Sequence, residues 1–160
     1  MKTIHQWFDE YAVSHQNKTN KLIHWFCVPM IFFSIICMLA DIPSGVLKSL
    51  APEGARDYIH WGTVLIAGGL LFYLRLSFPL FLGMLLESLF ILFLIKELEA
   101  FDVLPLWLLG LSIFVIAWIG QFYGHKVEGK KPSFFKDLQF LLIGPAWVLS
   151  FLFDKMGVRY

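Results

Sequence analysis

Long stretches without charge constrain most strongly what this chain can fold into. Glu87 is the one charged residue within five hydrophobic segments, which are Leu22–Ala40, Tyr58–Leu74, Leu76–Ile95, Val103–Gly124 and Leu138–Phe153. The first four match the roughly 20 residues that a membrane-spanning helix needs. The fifth is shorter and contains Gly144-Pro145. A short tilted span and a re-entrant or interfacial segment therefore both stay open for residues 138–153.

The composition favours the same class of protein. Hydrophobic residues make up 58% of the 160 residues and charged residues 16%, whereas a soluble domain carries roughly 25% charged residues. A soluble domain this small could not bury so much apolar surface. The net charge of +1 excludes a general attraction to nucleic acid. We predict an all-α, polytopic integral membrane bundle with four to five hydrophobic segments, forming a single domain over residues 1–160.

The segment before the first span is predicted to be an amphipathic helix on the membrane surface, covering residues 1–21. Its apolar residues share one helical face, as in interfacial helices, and they are Ile4, Trp7, Phe8, Tyr11 and Ala12. The predicted spans are 22–40, 58–74, 76–95 and 103–124, with 138–153 as the short fifth segment.

The distribution of Lys and Arg predicts the orientation, since these residues favour the cytoplasmic face. The N-terminal face would carry Lys2, Lys18, Lys21, Arg75, Lys126, Lys130, Lys131 and Lys136. The opposite face would carry Lys48, Arg56, Lys96, Lys155 and Arg159. We therefore expect the N-terminal face to be cytoplasmic, in a bacterial inner membrane, or in the endoplasmic reticulum membrane if the chain is eukaryotic.

Three histidines are predicted to meet at that face. His15 precedes the first span, His24 lies about one turn inside it, and His125 follows the end of the fourth. Four crossings separate the N-terminal segment from His125, so all three lie at similar depth. His60 begins the second span at the opposite face, about 25–30 Å away across the hydrocarbon.

Three imidazoles are a ligand set that suits a catalytic metal with open coordination positions. Asn20 and His24 are spaced i,i+4, and Gln121, His125 and Glu128 fall on one helical stripe. Such polar neighbours commonly orient metal-bound histidines. Interfacial histidines without a metal remain the alternative, and the spacing does not name the ion.

Glu87 lies in the middle of a predicted span, where a carboxylate is costly to bury and is therefore a candidate functional residue. About 15 Å separates the span centre from either face, so Glu87 is not expected to share the metal. Hydrogen bonding between helices and the lining of a substrate cavity both stay open for it.

Two separated motifs resemble those of the 2-hydroxy-fatty-acid dioxygenase family. The first runs from His15 to His24 and continues into Cys27-Val28-Pro29, and the second is Trp118–His125 followed by Glu128 and Lys130-Lys131-Pro132. Gly144-Pro145 resembles a small-residue–Pro step in the last hydrophobic segment of the family. Fungal members have one more residue between the second-motif histidine and its glutamate, so a ligand role for Glu128 stays open.

The resemblance implies a multispanning, Fe(II)-dependent membrane dioxygenase that uses O2 to shorten 2-hydroxy fatty acids by one carbon. It implies His15, His24 and His125 as catalytic iron ligands, with Asn20, Gln121 and Glu128 as polar residues around the cofactor. The expected partners are a lipid-like 2-hydroxy acyl substrate, O2 and membrane lipids. Two alternatives remain: a non-enzymatic membrane scaffold or lipid-binding protein, and a small proton-coupled transporter that uses Glu87.

Overall fold

The computed structural model describes residues 2–101, 104–130 and 140–160. Within these ranges every regular element is helical, which confirms the predicted all-α class. The helices are α1 (Ile4–Ala12), α2 (Lys18–Ala40), α3 (Gly45–Ser49), a 3-10 turn (Glu53–Tyr58), α4 (Trp61–Leu76), α5 (Phe78–Phe101), α6 (Leu106–Glu128) and α7 (Ile143–Met156). Several predicted features lie outside the described residues: Val103, Lys131, Pro132, Lys136 and the first two residues of segment 138–153.

Three helices are long and apolar enough to cross a membrane, namely α2, α5 and α6, and α4 is a shorter apolar helix. Large apolar side chains cover their outer faces; Phe90, for example, is 63% exposed and Ile119 is 63% exposed. Such a surface is unstable in water and suits a hydrocarbon environment. The structure therefore supports the predicted membrane bundle with four to five hydrophobic segments.

The helix boundaries differ from the predicted ones because helices extend beyond the hydrocarbon. α5 continues to Phe101 and carries Lys96 and Glu97 in its last turns, and α6 continues to Glu128, so that His125 is still helical. The predicted surface helix over residues 1–21 is wrong in extent. It ends at Ala12, and α2 already begins at Lys18 because the side chain of Asn17 caps it, accepting hydrogen bonds from Thr19 N and Asn20 N.

The apolar face of α1 is covered by protein, which corrects the expectation that it rests on lipid. Ile4, Phe8 and Tyr11 are buried in one cluster with Ile143 and Trp147 of α7. Thr3 and Gln6 form a capping box that fixes the start of α1. The helix therefore acts as a wall of the bundle at the N-terminal face.

α2 and α6 form the central antiparallel pair of the bundle. At one end Gly124 of α6 lies against Asn20 of α2, and at the other end Gly110 lies against the carbonyl of Ser34. A Cβ atom at Gly110 would stand 2.7 Å from that carbonyl oxygen, so the absent side chains permit the close approach of the two helices. This pairing brings the start of α2 and the end of α6 together.

α7 lies in the part of the bundle near the N-terminal face. Gly144 in its first turn packs against Val28 of α2, and Lys155 near its end lies over the ring of Trp25 at 5.9 Å. Arg159 shares a surface pocket with Lys2. Both ends of α7 thus stay within one turn of each other along α2, so α7 does not cross the bundle, and the re-entrant and interfacial alternatives both stay open. The expectation that Lys155 and Arg159 lie on the opposite face is wrong. Assigning them to the N-terminal face increases the excess of Lys and Arg residues at that face.

Candidate metal centre

Three separate parts of the chain supply the three histidines. His15 lies in the loop between α1 and α2, His24 in the second turn of α2, and His125 in the last turn of α6. Their exposed fractions are 2%, 1% and 3%. The antiparallel contact of α2 with α6 brings His24 and His125 together, and the loop after α1 then places His15 against both.

The three rings are in direct contact. The ring centroids of His15 and His24 are 4.2 Å apart, those of His24 and His125 5.0 Å, and those of His15 and His125 5.4 Å. One nitrogen from each ring lies within 4.8 Å of the other two nitrogens. The structure thus brings together the three histidines that the sequence placed at one membrane face.

Backbone carbonyls fix the tautomers of two rings. His15 Nδ1 lies 2.6 Å from the carbonyl oxygen of Tyr11, and His24 Nδ1 lies 2.9 Å from that of Asn20. A carbonyl oxygen can only accept, so each Nδ1 carries the proton and donates it. Each Nε2 then holds a lone pair. That of His15 has no hydrogen-bond partner among residues 2–101, 104–130 and 140–160, and that of His24 lies beside the side chain of Gln121.

Burial keeps the His15 ring neutral at physiological pH. Removal from water lowers the pKa of His15 to about 4, and the nearby His125 and Lys21 contribute in the same direction. The hydrogen bond to the Tyr11 carbonyl and the charge of Glu128 oppose this shift without cancelling it. Neutral imidazole is the form that binds metal ions. His15 is therefore in its metal-binding form without first having to lose a proton.

This donor set fits a divalent transition metal. Nitrogen ligands about 2.0–2.1 Å from a shared ion are separated from one another by about 3 Å, and the three nitrogens here lie within 4.8 Å of one another. Small ring movements would therefore complete the coordination. The buried lone pair of His15, without a partner among the described residues, is unfavourable in the absence of an ion, because buried polar atoms are normally satisfied.

Packing holds the His15 ring in place. It stacks on Tyr11 with a centroid distance of 4.2 Å, and Trp147 lies 5.4 Å away. Tyr11 stands four residues before His15, so helical spacing indicates its proximity. Trp147 gives no such signal, because its contact depends on α7 packing against α1 near the N-terminal face.

Asn20 and Gln121 are the buried polar residues beside the histidines, as the sequence spacing predicted. Asn20 is 0% exposed, and its Nδ2 donates to the carbonyl of Ser14 at 3.0 Å and to Glu128 Oε2 at 3.1 Å. Gln121 is 4% exposed and lies beside His24. Asn20 therefore links the His15 loop to α6, while Gln121 lines the inner side of the cluster.

Glu128 contacts the loop before α2 rather than the imidazole nitrogens. Its Oε1 accepts from the backbone N–H of Gln16 at 2.9 Å, and its Oε2 accepts from the N–H of Asn17 at 2.8 Å and from Asn20. Both oxygens are thus engaged with N–H donors. The side chain connects the end of α6 to the loop that carries His15.

His60 and Glu87 lie apart from this cluster. His60 is buried just before α4. It lies beside Gly62, and Ile36 near the far end of α2 contacts the same glycine. Glu87 is half-buried in the middle of α5. The three-histidine group among the described residues includes neither of them, in agreement with the depths predicted from the sequence.

The fold and the site together define a polytopic helical membrane protein with a buried cluster of three histidines at one face. A family model described as 2-hydroxy-palmitic acid dioxygenase Mpo1-like matches residues 1–156, and the chain belongs to this family. The resemblance predicted from the two motifs is thereby confirmed.

A curated relative supports the same assignment. The chain is 33% identical over 149 residues to the 2-hydroxy-palmitic acid dioxygenase MPO1 of Saccharomyces cerevisiae, an alignment that covers 92% of this chain and 78% of the yeast protein. No solved structure gives a significant match.

Proposed function

We propose that this protein is an Fe(II)-dependent membrane dioxygenase that shortens 2-hydroxy fatty acids by one carbon. The observation that carries the proposal is the pair of carbonyl-bonded rings, His15 and His24, whose Nε2 lone pairs are buried beside His125. The family description and the name of the yeast relative support a 2-hydroxy fatty acid as the substrate class and dioxygenation as the reaction, and the one-carbon shortening is what the resemblance of the two motifs implies.

In this proposal His15, His24 and His125 hold the iron. When bound there, Fe(II) supplies the capacity to activate O2, which reacts only slowly with a saturated acid on its own. The Tyr11 and Asn20 carbonyls keep the Nδ1 protons on His15 and His24, so that Nε2 stays directed to the ion. Three ligands leave coordination positions open.

The substrate chemistry matches the depth of the site. A 2-hydroxy fatty acid leaves its chain in the bilayer and holds its carboxylate and hydroxyl groups at the interface. The histidines lie at the N-terminal face, where Lys18, Lys21 and Lys126 stand on the same helix ends. These cations attract an anionic headgroup toward that face, and they also attract anionic lipids.

The proposed reaction balances without an outside reductant. The bond between carbons 1 and 2 of the acid breaks, carbon 2 becomes the new carboxyl carbon, and carbon 1 leaves as CO2. One O2 is consumed, and water is the remaining product. The burial of the three rings, each 3% exposed or less, limits the access of water to the reacting atoms.

Iron analysis with product analysis tests the proposal. The wild type, purified anaerobically, is expected to contain iron and to convert 2-hydroxypalmitate with O2 to the acid that is one carbon shorter. His24→Ala is expected to lose both properties, whereas His5→Ala, at an exposed position of α1, keeps both. Iron-free wild-type protein that leaves the acid unchanged would favour the scaffold or lipid-binding alternative.

A further inference from the structure

A narrow apolar groove runs from the histidine cluster into the membrane-embedded part of the bundle. It is shallow and partly open, and Phe140, Leu141 and Gly144 complete its lining. α2 and α6 supply its two long walls, and the residues that line them are Val28, Ile31, Ile35, Phe114, Trp118 and Gln121.

The two walls continue the helix faces that carry the histidines. On α2 the lining residues Val28, Ile31 and Ile35 follow His24 at steps of four, three and four residues. On α6 the lining residues Gln121, Trp118 and Phe114 precede His125, again at steps of four, three and four residues. Such spacing places residues on one helical stripe, so the groove lies directly beneath the metal centre.

Polarity falls with depth along the groove. Gln121 and Tyr11 lie at the end nearest the histidines, and Ile35 and Phe114 are the lining residues farthest from them. Eleven residues of α2 separate His24 from Ile35, which corresponds to about 16 Å at the helical rise. A polar end at the metal and a long apolar end match the head and tail of a fatty acid.

We propose that this groove binds the acyl tail of the substrate, and that Ile35 and Phe114 set the longest chain the enzyme accepts. This inference rests on the proposed function for the identity of the substrate. The carboxyl end then lies between Gln121 and the histidines, and the tail lies along the α2–α6 seam, on the side where Leu141 and Gly144 pack. An extended chain advances slightly less per carbon than a helix does per residue, so a tail of about a dozen carbons beyond the head spans the length of this groove.

Chain-length preference in binding tests the groove separately from turnover. Binding of 2-hydroxypalmitate and 2-hydroxydodecanoate is measured anaerobically by displacement of radiolabelled 2-hydroxypalmitate from the full-length protein. Ile35→Trp fills the deep end, and each methylene excluded from the groove weakens binding about fourfold. The preference for 2-hydroxypalmitate over 2-hydroxydodecanoate is expected to fall at least about tenfold.

Two further variants complete the test. Ile116→Trp adds the same bulk to the outer face of α6, where Ile116 is 64% exposed, and is expected to leave the preference unchanged. Phe114→Ala enlarges the deep end and is expected to raise the affinity for 2-hydroxystearate relative to 2-hydroxypalmitate. Phe114→Ala decides the test if Ile35→Trp fails to fold.

The outcomes separate the two proposals. An unchanged preference in both folded groove variants, or a copurified phospholipid that 2-hydroxypalmitate fails to displace, overturns the groove assignment even if the enzyme turns over. A shifted preference in protein that contains no iron and forms no product supports the groove as a hydroxy-acid site and overturns the dioxygenase proposal.

Discussion

The carboxylate of Glu128 accepts a hydrogen bond from the backbone N–H of Asn17 at 2.8 Å, across 111 residues of sequence. The same carboxylate accepts from Gln16 N, the residue after His15. One side chain at the end of α6 therefore fixes the position of the loop that supplies the first histidine.

Removing this carboxylate is expected to weaken the metal centre without removing a ligand. Glu128→Ala frees the loop that carries His15, and loss of such a supporting contact typically costs 10–100-fold in metal affinity. Anaerobic iron titration measures the affinity, and Glu128→Gln, which retains one carbonyl oxygen, is expected to be intermediate. Glu10→Ala, at an exposed position that pairs with Lys2, is the control. Unchanged iron affinity in Glu128→Ala would contradict the supporting role.

A methyl group at Gly124 is expected to disrupt the site from the α6 side. A Cβ atom there would lie 2.3 Å from Asn20 Oδ1 and 3.4 Å from His24 Cε1, and the amide group of Asn20 is held by Ser14 and Glu128. Gly124→Ala should lower the free energy of unfolding by about 1–3 kcal/mol and reduce the iron content of the purified protein.

The matched control for this change is Gly68→Ala in α4, where nothing lies within 4 Å of the added atom. Alanine favours a helix over glycine by up to about 1 kcal/mol, so Gly68→Ala should be neutral or stabilising. Equal iron contents and melting temperatures for the two alanine variants would show that the contact of Gly124 with Asn20 is unimportant.

His60 is expected to make the fold sensitive to acid. Burial, assisted by the charge of Lys48, lowers the pKa of His60 to about 4 from its ordinary value of 6.5. The unfolded chain therefore binds a proton first, and the free energy of unfolding falls as the pH drops from 6.5 toward 4. Well above pH 6.5 His60 contributes no pH dependence, because the ring is neutral in both the folded and the unfolded state.

Melting temperatures in detergent at neutral pH and at about pH 5 measure this effect. His60→Gln should show a smaller loss between the two pH values than the wild type does, and His5→Gln, at an exposed position, should behave as the wild type. An identical loss in His60→Gln and the wild type would assign the acid sensitivity to other groups.

Glu87→Gln is expected to leave iron content and 2-hydroxypalmitate turnover unchanged. Glu87 lies in the middle of α5 and outside the three-histidine group of the described residues. The transporter alternative makes the opposite prediction, namely a pH-dependent proton flux in liposomes that Glu87→Gln abolishes. Flux lost in the variant, together with unchanged iron, would assign a second activity to this chain.

The class of fold and the meeting of the histidines were predictable from the sequence. Four segments of about spanning length lie between the N-terminal segment and His125, and this even number of crossings puts His125 on the same face as His15 and His24. The sequence does not show that the rings of His24 and His125 come to a centroid distance of 5.0 Å, because this distance depends on which helices pack together. Gly110 and Gly124 determine that packing, and their partners lie too far away in sequence to be inferred from local spacing.

The course of α7 and the direction of the Glu128 side chain were not predictable. An apolar segment of intermediate length fits a short crossing, a re-entrant turn and an interfacial helix equally well, and the contacts of Gly144 with Val28 and of Lys155 with Trp25 argue against the crossing. Helical spacing placed Glu128 on the stripe of His125, but the carboxylate extends to the Gln16 and Asn17 N–H groups. Those N–H groups lie in the loop between α1 and α2, and their position depends on how that loop folds.

The three proposed ligands are far apart in sequence, with His15 before the first long helix and His125 at the end of α6. Synthesis must therefore pass residue 125, and α6 must pack against α2, before the three imidazoles can meet. If they hold iron as proposed, metal loading follows the insertion of α6, and a product that ends before α6 carries at most two of the three ligands.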